Sequence, residues 1–270
     1  MDANGLAPVG VPSVVCAIQA AAVVHATSEQ LTLLRRDPGV PLPASALRNA
    51  DEQSVVGLAA VISAKRQANL TKEQCAEWAV VAAPRYLGRI TLTAAVRRFR
   101  VDGAWCMTPH IVPHQSQHAV AGVISQLLSV RGPCLGVGAG PGGCAEAAQS
   151  AATILDRESV PGVWLVMTGW DREPVLDEQN KLQADVVCHA LALGLTPAIA
   201  SNHLPCLHVR PSYAPAKCST VAADRAWFSA AEEVAQMLSA KETSSRGTAV
   251  LQLADYAWIE LPAESDKNAA

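Results

Sequence analysis

A layered α/β fold is predicted by three observations. Apolar, often β-branched segments alternate with helical stretches along most of the 270 residues. Half of the residues are hydrophobic, enough to bury a sizeable core. No internal repeat or composition shift divides the chain, so residues 1–262 read as a single domain and the polar 263–270 as a tail.

Residues 12–26 (PSVVCAIQAAAVVHA) open β-branched and turn alanine-rich, which predicts a buried strand passing into irregular or helical chain. A short helix over 29–36 is stopped by Asp37-Pro38-Gly39. In 51–66 acids lead and bases trail, as the helix dipole favours. Thr71-Lys72-Glu73-Gln74 has capping-box spacing and predicts a helix over 71–83, towards Pro84. Ser116 to Val130 carries apolar residues at 120, 123, 124, 127 and 128, a helical stripe ended by Arg131-Gly132-Pro133. A short strand, 134–138, then leads into the alanine-rich helix CAEAAQSAATILDRE, which Pro161-Gly162 closes before the strand VWLVMTG. Beyond it, Ala184 to Leu195 reads as a helix, Leu207 to Arg210 as a strand, Ala222 to Ala240 as an amphipathic helix and Gly247 to Leu261 as a last strand. Five strands result.

Composition excludes several functions. A net charge of −3 offers no basic surface for nucleic acid or an anionic membrane. The longest apolar stretch, Val14 to His25, includes Gln19 and falls short of the roughly 20 residues a membrane span needs. The N-terminus has neither a basic n-region nor an apolar h-region, so a cytoplasmic protein is expected. Eight cysteines form no CxxC pair and are expected as reduced thiols. His110, His114 and His118 share an i+4 spacing, but Pro109 and Pro113 break any helix through 110–113, and no metal site is expected. Trp78, Trp170, Trp227 and Trp258 fit either core or interface.

The run Gly138-Ala139-Gly140-Pro141-Gly142-Gly143, between a short apolar segment and a helix, admits three readings. It satisfies G-x-G-x-x-G, so it could cradle the diphosphate of FAD or NAD in an oxidoreductase. However, the strand before it is short, and the next strand-end acid, Asp171, comes late for a ribose. Alternatively it is a nucleophile turn that has lost its nucleophile. The third reading is a tight helix entry, with glycine for unusual φ and proline at home in the first turn.

The segment HQSQHAVAGVISQLLSVRGPCLGVGAGPGGCAEAAQSAATIL, followed by VWLVMTG, resembles the centre of β-ketoacyl synthases over roughly residues 105–175. Ser116-Gln117-His118-Ala119-Val120-Ala121-Gly122 is similar to a run in the short ketoacyl-synthase-like N-terminal-domain proteins, including chain-length-factor-like subunits of aryl polyene systems. The resemblance implies a thiolase-like half-fold, a mixed five-stranded sheet with helices on both faces. It aligns Leu135 and Val137 with the family's strand, Pro141 with the nucleophilic cysteine and Ala147 with a small residue of the following helix. Proline has neither a nucleophile nor a backbone N–H, so it can form no thioester and donate to no oxyanion. The expectation is therefore a catalytically inactive subunit of polyketide, aryl polyene or fatty-acid-like biosynthesis, without cofactor. Its partner would be a full-length ketosynthase or a second copy, and an acyl carrier protein is a further expected contact. Gly138, Gly140, Pro141, Gly142 and Gly143 form the vestigial turn, with Ser116, His118 and Cys144 as pocket or interface residues. A thiolase-fold acyltransferase using Cys144 is the remaining alternative, although that thiol lies one helical turn, roughly 4–5 Å, beyond the nucleophile position.

Overall fold

A computed structural model describes residues 13–43, 45–109, 111–138, 143–157, 160–182, 185–198, 203–210, 221–239, 249–254 and 257–262. The fold is α/β, with eight strands in one mixed sheet. They are β1 (Val14–Ala26), β2 (Ala79–Pro84), β3 (Cys134–Gly136), β4 (Val163–Trp170), β5 (Cys188–Pro197), β6 (Cys206–Val209), β7 (Ala249–Ala254) and β8 (Ala257–Leu261). Their spatial order is β3-β2-β4-β5-β1-β6-β8-β7. The β3, β2 and β4 strands run parallel, and every other pairing is antiparallel.

The helices are α1 (Ser28–Arg36), α2 (Glu52–Gln67), α3 (Lys72–Cys75), α4 (Arg89–Asp102), α5 (Ile111–Gln115), α6 (Ala119–Leu128), α7 (Gly143–Arg157) and α8 (Val221–Ser239), with a 3₁₀ turn over Ala104–Cys106. They cover both sheet faces because the central strands alternate between two cores. On β4, Trp164, Val166 and Trp170 face a core that includes α2 and α6. Val163, Leu165 and Met167 face a second core with α7 and α8. Burial of α2 is nearly all-round, since β1, β5 and β4 lie below it while α1 and α6 flank it.

Three segments differ from what their sequence predicts. The helix over 71–83 is only α3; its capping box forms at Thr71 and Gln74, but Val80 and Val81 then enter β2, buried on both faces. The helix over 184–195 is strand β5, whose Leu191, Leu193 and Leu195 alternate with Ala190 and Ala192 between the two cores. The single strand over 247–261 is the antiparallel pair β7 and β8. These changes raise the strand count from five to eight. Strand β1 also continues unbroken to Ala26, absorbing its alanine-rich half around an irregularity between Ile18 and Ala20. Pro113 sits inside α5, at its third residue, where a missing N–H costs no helical hydrogen bond. Helix α4 follows Gly88, whose φ of 72° suits glycine, and has no side-chain cap.

Buried carboxylate Asp51 joins these parts at one end of the sheet. It caps α2 by accepting from the Gln53 N–H at 2.9 Å, and accepts from the Gly88 N–H at 3.1 Å. Burial, reinforced by neighbouring Glu52, pushes the Asp51 carboxyl up to about 7, against the two backbone bonds. Among the described residues, no helix is long and apolar enough to cross a membrane.

Candidate functional site

Parallel strands β2 and β4 end side by side, where β1 also ends and antiparallel β5 begins. Chain leaving such ends cannot continue the ladder, and a crevice opens there. In this protein it is a cavity of about 390 Å³, within the size range of small-molecule pockets. Met167, Thr168 and Gly169 of β4, Ala83 of β2, His189 of β5 and His25 of β1 line it below. The first turn of α7 contributes Cys144, and α8 forms the roof with Arg225, Phe228, Ser229 and Glu232.

A hydrogen-bond relay supports the floor: Thr168 Oγ1 donates to Gln53 Oε1 at 2.9 Å, and Gln53 Nε2 donates to the Arg85 carbonyl at 2.7 Å. At the mouth, Asp171 Oδ1 accepts from the Val187 N–H at 3.0 Å, and the Asp171 N–H donates to the Val187 carbonyl at 3.0 Å. The roof is tied down by two histidines. His25 Nε2 meets Glu232 Oε1 at 3.0 Å, and the His189 ring packs edge-on against Phe228 with centroids 4.4 Å apart. His189 also lies over Gly169, where a side chain would come within 3.2 Å of its Nε2. Burial, with His25 nearby and Arg85 adding to it, pulls His189 down to about 4 against the opposing Asp171. At neutral pH it is therefore an uncharged imidazole, able to donate one hydrogen bond and accept another.

The structure separates the residues singled out from sequence. Cys144 opens on the cavity. Ser116 and His118 do not line it; His118 adjoins edge strand β3, where Gly136 approaches the backbone of Gln117 and His118 so closely that a Cβ would lie 2.5 Å from the Gln117 carbonyl. Gly138 faces the Gln117 amide, and Gly143 is the buried first residue of α7. Gly140, Pro141 and Gly142 lie outside the described residues, as does His110. His25, Arg85, His189 and Glu232 escaped the sequence reading, because no motif joins residues this far apart. Their common signal is position, at strand ends or on the covering helix.

Among the described residues no three His, Cys, Asp or Glu side chains come together as metal ligands. The seven described cysteines form no disulfide. For a dinucleotide site the geometry is poor: the strand before the glycine run has only three residues and lies at the edge of the sheet.

No protein-family model and no curated protein matches the chain. Solved structures do. A chain of the ketosynthase ApeO in complex with its chain length factor ApeC from Xenorhabdus doucetiae superposes with a TM-score of 0.54 at 13% identity, covering 91% of this chain and 98% of that one. A β-ketoacyl synthase from Burkholderia phymatum gives 0.53 at 13% identity, over 84% of this chain and 71% of that one. The chain has the ketosynthase fold. A third ketosynthase-fold match is AntDE:AntF, a type II PKS acyl-carrier protein in complex with its ketosynthase bound to the hexaketide. There the TM-score is 0.51 at 14% identity, over 68% of this chain, and the match spans only 62% of that one. In this chain α8 roofs the cavity beside the start of α7.

Proposed function

We propose that this chain is a ketosynthase-like subunit that carries out no condensation itself and acts through a partner ketosynthase in polyketide, aryl polyene or fatty-acid-like biosynthesis. One observation carries the reading: the run entering α7 has Pro141 where the family resemblance aligns the nucleophile, and no cysteine or serine stands anywhere from 138 to 143. The ketosynthase fold and the chain length factor among its structural neighbours support it. Among the described residues β3 is an edge strand, which supports a partner, since unpaired strand edges invite pairing. Reconstitution with a ketosynthase and its acyl carrier protein tests this. The chain alone should yield no condensation product, and the pair should yield product whose amount or chain length changes when this chain is omitted. Condensation by the chain alone, or product indifferent to its presence, would sink the reading.

A second reading draws on the cavity, where Cys144 shares one space with His25 and His189. Such a group could accept an acyl chain from a thioester, the thiol proton leaving with the released thiol. Incubation with an acyl thioester of N-acetylcysteamine, followed by peptide mapping, should then find an adduct on Cys144 that Cys144→Ser abolishes. An unmodified Cys144 peptide removes this reading and leaves the first intact.

A further inference from the structure

Of the eleven large hydrophobic side chains exposed among the described residues, seven fall between Leu92 and Val112. Val96 and Phe99 continue a stripe from Leu92 along α4 at helical spacing. Trp105 in the following 3₁₀ turn is 100% exposed, Val101 84% and Val112 on α5 74%. Helix α4 packs on α5, α5 on α6, and α6 on β3, the edge strand among the described residues, where Leu135 is exposed. An apolar surface of this density, crowned by an unshielded tryptophan, marks an interaction site.

Its charge identifies the occupant. Residues 85–118 hold Arg85, Arg89, Arg97, Arg98 and Arg100 against the one acid Asp102, in a chain of net charge −3. Arg89 pairs with Glu173, and Arg97 is spent on the Leu176 and Asp177 carbonyls and the Asn180 side chain. Arg98 and Arg100, exposed on either side of Phe99, have no ion-pair partner among the described residues. A symmetric dimer through this surface would set the patch against itself and bring arginines towards arginines.

We infer that the α4–α5 surface, continued by the β3 edge, binds a different chain, one whose own apolar surface is rimmed by Asp and Glu, and not a second copy of this one. The inference rests on the partner-subunit reading and gives that partner a surface and a charge. The chain is co-expressed with a full-length ketosynthase from the same organism, and its oligomeric state is measured alone and in the mixture by sedimentation. Alone it should remain a monomer at micromolar concentration. The complex should weaken as salt rises. Affinity should fall about tenfold or more in Arg98→Glu/Arg100→Glu and in Trp105→Ser, since both alter the proposed contact. Val250→Ser, exposed on β7 at the opposite edge of the sheet, is the control and should bind as the unaltered chain does. A complex indifferent to the arginine and tryptophan substitutions overturns this surface while leaving the function reading standing. A stable homodimer that Trp105→Ser dissolves overturns the choice of partner. Failure of any complex to form defeats both.

Discussion

Gly162→Ala should cost about 3 kcal/mol or more of folding stability, read as a lower urea midpoint at unchanged slope. A Cβ at Gly162 would lie 2.3 Å from Cε2 of Trp78 and 2.5 Å from its Cδ2. The ring has no room to yield: it packs on fully buried Trp164 with centroids 5.0 Å apart, and Gly194 brings its own backbone close to both. Nor can the backbone at 162 retreat, because its carbonyl accepts from the Ala79 N–H at 2.9 Å where β2 begins beside β4. Trp78→Leu, which cuts the opposing ring away, should be destabilising alone yet relieve much of the glycine substitution when combined with it, a coupling of about 1–3 kcal/mol. Two changes that simply add would show that Trp78 is not what the new methyl meets.

The pH profile should carry two opposing slopes, each on the order of 3 kcal/mol when isolated. Asp51 has its carboxyl raised from 3.8 to about 7, so the folded chain holds a proton that the unfolded chain has released. That contribution is complete below pH 3.8 and disappears as pH climbs to about 7. His189 is lowered from 6.5 to about 4, so here the unfolded chain holds the extra proton. Its contribution is complete above pH 6.5 and disappears on acidification towards 4. Between those limits the two largely offset, and the unaltered protein should show a shallow profile. Asp51→Asn removes one slope, so that variant should lose stability steeply on acidification through this window. His189→Gln removes the other and should gain stability there. Urea unfolding at several pH values checks both. Profiles parallel to that of the unaltered chain would mean that neither group is perturbed as the burial argument requires.

Much of the architecture was legible in the residues, and the failures share a cause. Helix α7, helix α8 and strand β4 announce themselves by period and by breakers such as Pro161-Gly162. Strand β5 reads as a helix in the sequence because Ala and Leu dominate it, and a strand buried on both faces has no polar beat to betray its period of two. For β2, the capping box at Thr71 is real but governs one turn only. The glycine run and Cys144 were recognisable from local pattern, whereas the cavity was not. His25 and His189 become neighbours only because β1 and β5 pair antiparallel, with His25 directly opposite His189 in the register. Spacing along a chain does not encode that meeting.

The position of β1 has a consequence for how the polypeptide comes off the ribosome. It lies between β5 and β6, so both of its hydrogen-bonding neighbours are made from residues 188 onward. At about 5–20 residues per second, a nascent chain would wait on the order of 10–30 seconds between emergence of the first strand and arrival of its partners. Throughout that delay a 13-residue apolar segment with two unclaimed edges stands open to other strands. Holding it apart until translation finishes is a task for a chaperone, and yield in a host short of one should suffer before any property of the finished protein does.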